Sequence, residues 1–106
     1  MRVRVSDSAE LDAQAVERRL ESEHPGYGTQ FTDLFEQALR AVEASPQMYG
    51  RTEDGPDDVE TREFYIQRFE YRVIYGFVSD DLAEVIAVVH ARQRPGAWVR
   101  RIPRWN

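Results

Sequence analysis

Hydrophobic and polar positions change period several times along this chain. Val3 and Val5 alternate with Arg2 and Arg4, which is the two-residue period of a strand. From Ala9 the spacing lengthens. Ala9, Ala13, Val16 and Leu20 fall at i, i+4, i+7 and i+11, predicting a helix over about 7–23 with Asp7 and Ser8 as candidate N-caps. A fuller stripe of Phe31, Leu34, Phe35, Ala38, Leu39 and Val42 predicts a second helix, opened by Thr29 and closed before Pro46. His24-Pro25-Gly26 separates the two and predicts an antiparallel helical hairpin, with His24 at the favourable carboxyl end of the first dipole.

Residues 45–60 lose periodicity and gather Glu53, Asp54, Asp57, Asp58 and Glu60 around Gly55-Pro56, which reads as a mobile acidic surface loop. Alternation returns over 61–69, where Arg62, Phe64, Ile66 and Arg68 share a face, and over 71–78, where Val73, Tyr75 and Phe77 do. A turn at 79–81 leads to a third strand over 82–91. Short links between consecutive strands predict an antiparallel meander. The expected fold is α+β: an N-terminal strand and a helical hairpin packed on a roughly four-stranded antiparallel sheet, one domain over 1–106.

The stretch 84–98 organises the rest. Its first half is an apolar run rich in valine and isoleucine, as in a strand buried on both faces. It then delivers His90, Arg92 and Arg94 at alternate positions before Pro95-Gly96, with Trp98 and Arg100 following. A buried strand ending in cations is a rigid base from which to aim polar groups. Arg92, Arg94 and Arg100 beside Trp98 form the candidate binding patch, suited to phosphate, base or carboxylate, with Trp98 also a lid over the sheet edge. Arg68 and Arg72 read as braces of a sheet face; Tyr65, Tyr71 and Tyr75 read as core or hydroxyl-anchored residues. The tail 101–106 either adds an edge strand or packs Trp105 against the body.

Charge sharpens the picture. The net charge is −5, yet residues 1–60 carry 6 arginines against 14 carboxylates while residues 61–106 carry 8 against 5. A chain so divided does not coat nucleic acid wholesale, but its basic end attracts anions locally. The chain has no cysteine and only His24 and His90 as histidines, so neither a thiolate site nor a transition-metal site is expected, and no cofactor is. No apolar run reaches membrane length and 1–12 lack a signal-peptide core, so the expected compartment is the cytoplasm.

The strand, the hairpin carrying F-x-x-L-F-x-x-A-L, then Arg68-Phe69-Glu70-Tyr71 and His90-Ala91-Arg92-Gln93-Arg94-Pro95 with Trp98, together resemble the RelE/ParE toxin superfamily of bacterial type II toxin–antitoxin systems. The likeness runs from Arg2 to about Arg100. Two departures stand out: Glu70 where the family usually has proline, and Gln93-Arg94 where two arginines are commoner. The resemblance implies a small growth-inhibiting toxin of the plasmid-stabilisation kind, neutralised by a cognate antitoxin. Its target would be DNA gyrase, for ParE-like members, or ribosome-bound mRNA, for RelE-like endoribonucleases. A nuclease of this kind would use Arg62, Arg68 and Arg92 as phosphate clamps and His90 as acid or base, since cleavage by the 2′-oxygen needs proton transfer and cations. RelE-like nucleases commonly use lysine and a C-terminal tyrosine or histidine, and this chain has no lysine and no tyrosine after Tyr75. The ParE-like reading is therefore favoured, a non-toxic binding module keeping the fold is the third reading, and a homodimer stays open.

Overall fold

A computed structural model describes residues 1–103 and 105. The elements are β1 (Arg2–Val5), α1 (Asp7–Glu23), α2 (Tyr27–Ala44), β2 (Thr61–Ile66), β3 (Tyr71–Ser79) and β4 (Leu82–His90). The four strands form one sheet in the order β1-β4-β3-β2. β2, β3 and β4 make the antiparallel meander. The sheet as a whole is mixed rather than antiparallel, because β1 lies parallel to β4 with Val3 opposite Ala83 and Val5 opposite Val85. Alternation dictates which face a side chain takes, not which neighbour a strand chooses. Here the long connection through the hairpin and two strands makes the parallel pair possible. No helix among the described residues is long and apolar enough to cross a membrane.

The helices begin slightly earlier than their caps suggested. Ser6, not Asp7 or Ser8, caps α1, its hydroxyl accepting from the Ala9 amide at 3.1 Å. α2 starts at Tyr27 after Gly26, whose φ of 94° suits glycine, two residues before Thr29. Gly26 has no side chain to cap with, so Glu21 of α1 supplies the acceptor, taking the Gly26 and Gly28 amides at 3.1 and 3.0 Å. Gly28 is buried where the helices meet, and a Cβ there would sit 2.9 Å from the Glu17 carbonyl. Gly28→Ala is therefore expected to cost about 1–3 kcal/mol in urea unfolding, despite alanine's better helix propensity. A variant as stable as the parent would show that the helices can part freely.

Both helices pack on one face of the sheet. Ala9, Ala13, Val16 and Leu20 of α1 and Phe31, Phe35, Ala38 and Val42 of α2 bury against Ile66, Tyr71, Val73, Tyr75 and Val85. Leu34 and Leu39 are only partly buried at its margin. On the opposite face Ile74, Ile86, Ala87 and Val89 are covered by Trp98, with Val99, Ile102 and Trp105 packed alongside. Trp105 therefore packs on the body, its ring end resting where a side chain on Gly76 would stand. Arg104 lies outside the described residues. Two-sided covering explains why β4 is apolar at nearly every position.

One irregularity decides the faces at the end of β4. Ile74 pairs with Ala87 but Tyr75 pairs with Val85, so Ile86 is an extra residue, a β-bulge. Ala83 and Val85 face the helices before it, and Val88 faces them after it. The flip brings His90 round to the helical side, where its ring meets Tyr71 edge-on at 5.1 Å. β1 ends at Val5, which leaves the β4 edge beyond Val85 without a strand neighbour. Side chains occupy it instead: the Val88 amide donates to Asp12 at 3.0 Å and the His90 amide to Gln93 at 2.9 Å.

Candidate functional site

The acidic loop lies at the surface as expected, with Glu53, Asp57 and Asp58 exposed, but part of it is tied down. Its Asp54 is the centre of an ionic hub on the face away from the helices. Arg72 of β3 donates to both Asp54 oxygens, at 3.0 and 2.6 Å, and reaches Glu63 of β2 at 2.8 Å. The Gly96 amide and the Trp98 indole N–H also donate to Asp54, at 2.9 and 2.8 Å. Nearby, Thr52 binds the Thr61 hydroxyl at 2.5 Å. The hub thus ties loop, sheet and the turn after Arg94 together. The Arg72 guanidinium holds the Asp54 carboxyl well below the usual carboxylate range against the opposing effect of burial, and Gly96 and Trp98 add to this. Asp54, followed by Glu63, raises Arg72 in return.

The residues singled out for function fall into different places. Arg62 is tied down, its guanidinium donating to Glu60 at 2.8 Å and to the Tyr49 carbonyl at 2.6 Å. Among the described residues only its Nη2 lacks a partner, so clamping a phosphate with two guanidinium nitrogens would require breaking these bonds. Arg68 is not on a sheet face, since β2 stops at Ile66 and residues 68–70 make a tight turn. Its guanidinium lies 5.2 Å over the Tyr27 ring and 4.6 Å over Phe69, with Nε donating to Gln30 at 3.1 Å. His90 ends β4, so Arg92 and Arg94 follow it in a turn and do not share a strand face with it.

The expected binding patch is divided too. Trp98 is 2% exposed and cannot offer its ring to a partner. Its indole N–H anchors Asp54 and its ring covers the sheet. Arg92, Arg94 and Arg100 are exposed and, among the described residues, none is within ion-pair reach of a carboxylate. Arg101 differs, pairing with Asp12 at 2.5 Å. Of the three tyrosines, Tyr71 and Tyr75 are buried while Tyr65 is 44% exposed. Arg19 donates to the Tyr71 hydroxyl, and the Tyr75 hydroxyl donates to the Pro46 carbonyl at 2.6 Å. Burial pushes the Tyr75 hydroxyl up to about 12, which removes it from proton transfer near neutrality.

Two hollows flank the end of β4. The larger, about 630 Å³, is lined by Arg51, Glu53, Asp54, Glu63 and Arg72 among others. Arg72 there is already paired with Asp54 and Glu63, while Arg51 and Glu53 are exposed. The smaller, about 300 Å³, lies between α1 and β4 and is lined by Arg19, Tyr71, His90 and Gln93 over Ala15, Val16 and Val88. Sequence reasoning named His90 there but missed Arg19 and Gln93. Arg19 sits in a charged helix face, and only the bulge turns His90 towards it. No group of three or more carboxylates and histidines suited to a metal occurs among the described residues.

No curated protein matches the chain. A family model described as ParE toxin of type II toxin-antitoxin system, parDE, matches residues 3–95, from within β1 to the Arg94-Pro95 turn. The chain belongs to this ParE toxin family of type II toxin–antitoxin systems.

Proposed function

We propose that the chain inhibits growth by acting on DNA gyrase rather than by cutting ribosome-bound mRNA, and that a cognate antitoxin silences it. The observation that carries this choice is the dispersal of the nuclease set. Cleavage by in-line attack needs an acid, a base and cations around one phosphorus. The Nε and Nη1 of Arg62 are taken by Glu60 and backbone carbonyls, and Arg68 stacks at the hairpin end. The larger hollow sets three carboxylates against two arginines, of which Arg72 is already paired, where a polyanion would need a surplus of cations. A gyrase-directed toxin needs no catalytic group, only a shaped surface. Arg92, Arg94 and Arg100 supply an exposed cationic tip for an acid-bearing antitoxin segment lying between hairpin and sheet.

Inducible expression with and without the adjacent reading frame tests the proposal. Growth arrest relieved by the neighbour, with SOS induction and cleaved DNA, is the expected result. Codon-linked mRNA cuts would overturn the gyrase assignment, and no arrest at all would leave a binding module that keeps the fold. One observation keeps the nuclease reading in play: His90 is partly exposed and only its Nδ1 is engaged, by the Arg92 amide at 3.1 Å. If mRNA is cut, His90→Ala should slow cleavage at least about tenfold. An unchanged rate would remove His90 from the chemistry.

A further inference from the structure

The geometry points to the hollow between α1 and β4 as a socket for a single carboxylate borne on an aliphatic stem, a glutamate side chain of a partner peptide. Its polar wall consists of donors with capacity to spare. Arg19 gives one guanidinium hydrogen bond to the Tyr71 hydroxyl and has only a long 3.7 Å approach to Glu23. The His90 Nδ1 accepts the Arg92 amide, which fixes the neutral ring as the Nε2–H tautomer and leaves that N–H as a donor. The Gln93 oxygen accepts the His90 amide, which leaves the Gln93 NH2 group. Three donors of this kind around one hollow select an acceptor, and the guanidinium makes an anion the favoured one.

The rest of the lining narrows the anion. Ala15, Val16 and Val88 give the hollow an apolar side that seats methylenes. Asp12 also lines it, with Oδ2 already taken by the Val88 amide and Arg101 at 3.0 and 2.5 Å. Its charge tolerates a monoanion beside it better than a phosphate dianion. The N-terminal 60 residues carry 14 carboxylates against 6 arginines, which further disfavours a nucleic-acid strand along α1. At about 300 Å³ the hollow has room for a glutamate side chain and the backbone beside it. This deepens the antitoxin reading by naming where one of its acids is held, and it can be tested without any toxicity.

The test is a titration of the isotopically labelled full chain with acetyl-Leu-Glu-amide, followed by NMR at the Arg19 guanidinium, the His90 ring and the Gln93 side-chain amide. Saturable shifts confined to these groups are expected. Acetyl-Leu-Gln-amide should bind at least about tenfold more weakly, the worth of one charge-assisted hydrogen bond. Arg19→Gln, whose side chain is half exposed and unneeded for the core, should lose at least as much, and His90→Gln should lose affinity while keeping the fold. Equal binding of the two peptides, no saturation, or an unaffected Arg19→Gln would overturn the socket. Tighter binding of inorganic phosphate or a short oligonucleotide at the same groups would overturn it in favour of nucleic acid. Failure of the growth assay bears on the toxin reading alone.

Discussion

Asp54→Ala is expected to destabilise the domain by about 3–5 kcal/mol, the largest loss for any single loop residue. The side chain is 12% exposed and accepts from Arg72, Gly96 and Trp98. Removing it strands the Trp98 indole and the Gly96 amide, each unsatisfied donor costing about 1–3 kcal/mol. Arg72 keeps Glu63, which moderates the loss. The result should be read by urea unfolding, where a loss under about 1 kcal/mol would show that the hub is only a surface ion pair. The pH dependence has a definite sign. Asp54 titrates lower in the folded protein than in the unfolded chain, so its contribution is fully present above the unfolded value of about 3.9. It is lost as pH falls through the depressed folded value. The stability gap between parent and Asp54→Ala should therefore be level from neutrality down to about pH 5 and close below it. A gap that widened on acidification would exclude the hub as its source. The same loop carries the turn after Arg94, so the variant should also loosen the cationic tip.

The second large effect concerns the turn between β2 and β3. Phe69 and Glu70 both have positive φ, 69° and 60°, in a region that L-residues with side chains rarely occupy. The turn is held by the Glu70 amide donating to the Gln67 carbonyl at 3.2 Å and by the Glu70 carbonyl accepting from Ala91 at 2.8 Å. The proline that the RelE/ParE resemblance would place here needs φ near −65° and has no N–H, so this chain turns in a way a proline cannot follow. Glu70→Pro, which restores the commoner R-F-P-Y sequence, is expected to cost about 3 kcal/mol or more. Glu70→Gly should instead stabilise by up to about 1 kcal/mol, since glycine takes positive φ without strain. Thermal unfolding of the pair decides it. A proline variant as stable as the parent would mean that the turn readily adopts a second conformation. The consequence reaches the site, because the Glu70 carbonyl fixes the chain just after His90.

Much of the architecture was legible because burial imposes period. The stripes of α1 and α2 land on the core as spaced, and the apolar run of β4 is buried on both faces as its composition required. Within the acidic loop Asp54 departs from expectation, because polarity suggests solvent, whereas its carboxylate sits in an ion pair with Arg72 of β3. Arg62 and Arg68 shared a face only on the assumption that the strand continued past Ile66, and the tight turn at 68–70 ends that assumption. Trp98 looked available because its neighbours are arginines, but the apolar outer face of β4 claims it.

What the sequence by itself determined is the element order, the helical hairpin, the buried central strand and the charge division, since each is written in local period or in counts of side chains. The tertiary structure alone decided the parallel placement of β1, the Asp54 hub and the company His90 keeps. All three depend on contacts between residues distant in the chain. The last turns on one extra residue at Ile86, whose bulge reverses every later side chain and which no local pattern announces.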